Sequence, residues 1–106
     1  GNNLLMFLES EDYIQFDSAC AATSKELMIV YSIWCDDNGF TPLKARTVSD
    51  FLIANASKYH IEHTNNIHSV DGRRVWGFKG IRLMIDAANH SRNGFLRIYD
   101  RNDPFT

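Results

Sequence analysis

The chain has 106 residues, 44% of them hydrophobic and 12% aromatic, and a formal net charge of −2. That is the length of one domain with enough apolar side chain for a packed core. No apolar run approaches the roughly 18 residues of a membrane span, so no membrane-spanning helix is expected. The N-terminus carries no secretory leader pattern. Cys20 and Cys35 are too few for a disulfide framework, so reduced thiols in a cytoplasmic protein are expected. The chain opens on Gly1 rather than Met, which suits a piece cut from a longer protein.

Residues 3–9 read as a short helix, with Asn3 as N-cap and Leu4, Leu5, Phe7 and Leu8 as its apolar stripe. Residues 10–22 read as a connector with one short strand near Ile14–Phe16. Thr23 and Glu26 then stand three apart, as in a capping box, and open a helix over 24–38. Leu27, Val30, Tyr31 and Trp34 follow at helical spacing and should face the core. Asn38-Gly39 closes that helix.

Thr41-Pro42 looks like the start of the next helix, 42–57, because proline suits the first helical position. Ala45, Val48, Phe51, Leu52 and Asn55 share one face of it, and Arg46, Ser49, Asp50 and Ile53 the other. Three residues between the two helices, Gly39 among them, is the geometry of a helix-turn-helix. A hairpin over 59–85 follows. Its first strand is interrupted at Asn65-Asn66, and Asp71-Gly72 is the preferred dipeptide of a two-residue type I′ turn. Gly77 and Gly80 should weaken or bend the return strand. Trp76 and Phe78 read as core, with a base-stacking platform as the alternative. Residues 86–106 form a C-terminal extension, loop-like over Asn89–Gly94, with a short strand or docked tail at Phe95–Tyr99. The fold class is thus α+β: a winged helix-turn-helix over 1–85, with three helices and a C-terminal β-hairpin wing.

Most catalytic chemistry is missing from this pattern. Gly72 and Gly77 have the glycine spacing of a phosphate-binding loop, but Gly77-Phe78-Lys79-Gly80 departs from its Gly-Lys-Ser/Thr ending, and a hairpin is the wrong setting. His60, His63, His68 and His90 do not fall at the spacing of a zinc site. On a regular strand His63 and His68 would face opposite ways. No nucleophile elbow and no zincin helix is present. Glu9, Glu11, Asp12, Asp36 and Asp37 read as solvated surface rather than as paired catalytic carboxylates. No enzyme activity, no metal, no cofactor and no small-molecule substrate is expected of this chain alone.

Charge is distributed unevenly. Residues 1–40 carry seven acids against Lys25, a net of −6, while residues 41–85 carry seven bases against Asp50, Glu62 and Asp71, a net of +4. A basic half on an acidic protein suits a polyanion, and a solvated surface with no special role is the plain alternative. The expected DNA contacts are Lys44, Arg46, Thr47 and Ser49 on the second long helix, and Arg73, Arg74 and Lys79 on the hairpin. Arg82 is set apart as an internal charge partner. Asp50 counts against phosphate on the helix, and seven bases are modest for counterion release.

Three pieces together resemble a known arrangement: VYSIWCDDNG at 30–39, the Pro42-Leu43 helix start, and WGFKGIRLM at 76–84. Tyr31, Trp34, Cys35 and Gly39, followed by Gly80, Ile81, Arg82 and Leu83, are similar to the C-terminal domain of phage- and plasmid-encoded primase-helicases of the poxvirus primase-helicase group. The likeness spans Ser24 to Met84. It implies a winged-helix module that binds DNA in mobile-element replication and follows an ATP-driven helicase domain outside this chain. The chain departs from the pattern in a helix poorer in Lys and Arg, and in the tail over 86–106.

Two functions therefore compete: a DNA-binding accessory domain, and a docking or oligomerisation module of the same replication protein. Arg46, Arg73 and Arg74 on one continuous surface would favour DNA. Scatter, or pairing with Asp50 and Asp71, would favour docking.

Overall fold

A computed structural model describes residues 3–87. In chain order it holds α1 (Asn3–Leu8), β1 (Ile14–Thr23), α2 (Ser24–Asn38), α3 (Ala45–Ala54), α4 (Ala56–Tyr59), β2 (Glu62–His68) and β3 (Arg74–Leu83). This is a small α+β domain, with four helices and a three-stranded antiparallel sheet among the described residues. The last strand is the central one: the sheet order is β1-β3-β2. The loop and strand expected at Asn89–Gly94 and Phe95–Tyr99 lie outside the described residues.

α2 forms as its sequence dictates. The Thr23 hydroxyl accepts the Glu26 N–H, and the Glu26 carboxylate accepts the Thr23 N–H, each at 3.0 Å, so two otherwise orphaned donors are satisfied. Gly39 ends the helix in the left-handed conformation, φ 76°. Leu27, Val30, Tyr31 and Trp34 are all buried. Phe7 of α1 packs on Tyr31 and Trp34 with ring centroids 5.2 and 5.9 Å away. Val48 and Leu52 of α3 and Ile14, Phe78 and Ile81 of the sheet complete the centre of the core.

Four local expectations are corrected. Asn3 does not serve as a free cap: its amide donates to the Thr41 carbonyl at 3.1 Å, and its side-chain oxygen accepts the Tyr31 hydroxyl at 2.5 Å. The second long helix does not start at Pro42. The Leu43 N–H donates to the Tyr31 hydroxyl at 3.0 Å, and that bond, with the one to Thr41, holds the connection extended as far as Lys44. The three-residue helix-turn-helix connection is therefore replaced by the longer segment 39–44. Nor does this helix run to residue 57. The Asn55 side chain turns back onto the Phe51 carbonyl at 2.9 Å, competing with the helical ladder, and a separate turn, α4, follows before His60 at φ 57°.

The strand near Ile14–Phe16 is in fact ten residues long. It pairs with β3 at Ile14↔Leu83 and again at Ala21↔Lys79, and between them residues 17–20 bulge out opposite Gly80. Gly80 sits at φ 98°, which resets the pleat. Phe78 and Ile81, three residues apart, are therefore both buried, and Lys79 and Arg82 are exposed. Arg82 is not an internal charge.

Candidate nucleic-acid interface

β1 stops pairing with β3 at Thr23↔Gly77. Beyond that point β3 has only β2 beside it, and the two form an arm whose tip faces the first turn of α2. The break expected at Asn65-Asn66 is present as a bulge: pairing shifts between Thr64↔Gly77 and Ile67↔Val75, so two residues of β2 stand opposite Trp76. The arm closes differently from the expected type I′ turn. Only Gly72 has positive φ, at 86°. The Gly72 N–H donates to the Ser69 carbonyl and the Ser69 N–H to the Arg73 carbonyl, both at 2.9 Å. This is a three-residue loop, Val70-Asp71-Gly72, with glycine at the left-handed position.

Asp71 organises that loop. It accepts the Ser69 hydroxyl, the Arg73 N–H at 3.1 Å and the Arg73 Nε at 2.9 Å. The Ser69 hydrogen bond first, then those from Arg73, hold its carboxyl below the usual carboxylate range. A loop whose side chain satisfies its own backbone prefers Asp over the Asn that a type I′ turn would take equally well.

The expected contact residues fall into two groups and an outlier. Lys44, Arg46 and Thr47 are exposed at the start of α3, while Ser49 is half-buried there. Arg46 Nε lies 3.8 Å from Asp50 one turn on. Arg73 and Arg74 are exposed at the hairpin tip. Arg73 is paired with Asp71, and Arg74 Nη1 reaches the Asn66 side chain at 3.4 Å. Lys79 is exposed further along β3, directly across from Glu62. Pairing with Asp50 and Asp71 was the arrangement that favours docking, and Arg46 and Arg73 adopt it.

The core reading of Trp76 is corrected. It is not core but 55% exposed, because β1 stops pairing one residue short of it, at Thr23↔Gly77. Phe78, two residues on, is fully buried as expected. Trp76 borders a groove of about 530 Å³ between the first turn of α2 and the hairpin tip, together with Lys25, Ile29, Val70, Arg73 and Val75. The expected break at Asn65-Asn66 points to the same spot as the base-stacking alternative for Trp76, since a bulge re-aims the residue opposite.

Among the described residues, no group of three or more His, Cys, Asp or Glu side chains is placed to hold a metal ion. No helix among them is long and apolar enough to cross a membrane. Cys35 is buried beside Tyr31, and burial pushes its thiol up; Cys20 is half-exposed, and neither is in a disulfide. Compared with protein-family models, with curated proteins and with solved structures, the chain has no match in any of the three.

Proposed function

We propose that this domain is a winged helix that binds DNA, as an accessory module of a phage- or plasmid-type primase-helicase. The observation that carries the reading is the order of its parts. Helix, strand, two longer helices and a single-turn fourth, then two strands, with the last strand between the other two, is an order that supports a winged-helix reading. It presents one helix start and one hairpin tip, and exposed cations stand on both. Lys44, Arg46 and Thr47 would meet the phosphate backbone from α3, with Ser49 behind them. Arg73 and Arg74 would meet it from the wing, and Lys79 lies further down the same strand. Guanidinium groups suit phosphate because they present paired donors. Arg46 and Arg73 keep their carboxylate partners only as exposed pairs, which are weak and open readily toward a competing anion. Fold alone does not assign a function. The likeness of the 30–39 and 76–84 segments to primase-helicases supports placing the module in mobile-element replication.

A second reading, a docking or oligomerisation module, is favoured by the Arg46–Asp50 and Arg73–Asp71 pairs themselves. One experiment separates the two. Fluorescence anisotropy of a labelled duplex and a labelled single strand is followed at several salt concentrations, with the Arg73→Ala/Arg74→Ala double variant alongside. Binding at micromolar concentration or tighter that weakens with salt, and weakens further in the double variant, is the expected result. A folded sample that binds neither strand form at low salt removes the DNA reading and leaves docking.

A further inference from the structure

Trp76 is held as a platform rather than left loose on the surface. His63 stacks against one side of the indole, with ring centroids 4.6 Å apart and planes 24° from parallel. His63 in turn leans on Phe78 at 4.9 Å, and Phe78 is fully buried. The stack is thus anchored in the core. His63 takes no part in lining the groove, whereas Trp76 does, beside Ile29, Val70 and Val75. A flat aromatic surface backed on one side and open to an apolar groove suits another flat ring.

Two cations, Lys25 and Arg73, and two carboxylates line the groove. Its two carboxylates are already engaged. Glu26 accepts the Thr23 N–H in the capping box, and Asp71 accepts from Ser69 and Arg73. Arg73 uses only Nε toward Asp71, which leaves the other guanidinium donors for an anion. Lys25 is exposed on the opposite wall. We propose that this groove receives an unpaired nucleobase of single-stranded DNA, stacked on Trp76, with Lys25 and Arg73 against the flanking phosphates. A paired base inside a duplex does not offer its face, so the groove selects single strands and frayed ends, while α3 and the hairpin tip engage duplex. The inference rests on the DNA-binding reading above.

The test uses the 106-residue chain with a short labelled oligothymidylate, a single strand carrying 2-aminopurine, and a duplex. Trp76→Leu removes the platform and Trp76→Phe keeps a ring. Trp76 is largely exposed, so both variants should fold, and circular dichroism checks it. The wild type should quench 2-aminopurine on binding. Trp76→Leu should bind single strands about tenfold more weakly, the scale of one lost base stack, and should abolish the quenching. Trp76→Phe should restore most of both, and duplex affinity should not move. Equal single-strand affinity in wild type and Trp76→Leu overturns the groove while duplex binding keeps the DNA reading alive. Duplex binding with no single-strand binding does the same. No binding of any nucleic acid removes both.

Discussion

Tyr31 shows what a single residue contributes here. Its ring is fully buried against Phe7, and its hydroxyl ties two separate segments to α2: it donates to Asn3 and accepts from the Leu43 N–H. Burial raises its pKa, so it stays a neutral hydroxyl that can both donate and accept. Tyr31→Phe keeps the ring and strands both partners. It should cost about 1–3 kcal/mol, the penalty for buried polar groups left without a bond. Urea denaturation measures this, and an unchanged midpoint would show that water replaces the hydroxyl without loss. Helical spacing alone revealed that Tyr31 is buried. Its bonds were not legible, because Asn3 and Leu43 lie 28 and 12 residues away, and periodicity reports only neighbours one or two turns apart. The Arg46–Asp50 pair, one turn apart on an exposed face, was legible for the same reason.

At the scale of elements, α2 was fully readable, since its capping box, apolar stripe and terminating glycine all lie within its own residues. β1 was not. Its ten residues include the bulge at 17–20, which destroys the alternation by which a strand is recognised, and its partner is far along the chain. The closeness of that partner sets a prediction. A Cβ added at Gly77 would lie 2.3 Å from the Ala22 carbonyl oxygen and 2.8 Å from the Thr23 Cα. Both are backbone atoms of β1, so no side-chain rotation relieves the clash. Gly77→Ala should push β1 off β3 and destabilise the domain by about 3 kcal/mol, the upper end of the usual range for overpacking. Amide exchange in β1 should quicken with it. A variant as stable as the wild type would mean that the two strands separate more easily than their register suggests. This glycine was read from the sequence only as a weakness in the strand; the close approach that requires it became visible only once β1 lay beside it.

For the whole molecule, the α+β class and the division of charge between an acidic first part and a basic second part were legible, because both depend on composition and local pattern. What could not be read was how the charges are partnered. That partnering limits the electrostatic share of DNA binding. Of the expected contacts, Lys44, Arg46, Arg73, Arg74 and Lys79 are cationic, and two of these already sit beside a carboxylate. The slope of log affinity against log salt for duplex should therefore fall between about −2.7, if only the three unpaired cations neutralise phosphates, and about −4.5, if all five do, at close to −0.9 per phosphate neutralised. Titrations at several salt concentrations give this slope directly. A markedly steeper value would mean that cations outside this set take part.

The central place of β3 has a consequence for how the domain comes to exist. Among the described residues β1 and β2 do not pair with each other; each is held by β3, which follows both in the chain. While the earlier elements emerge, α1 and α2 can already pack together, but both sheet strands wait with their backbone bonds unmade. The sheet then closes in a late event, joining residues as far apart as Ile14 and Leu83, and such long-range closure makes folding slow compared with a helical bundle of this size. A nascent chain that stalls just short of this strand therefore exposes two unsatisfied edges at once, the situation in which a chaperone is most needed.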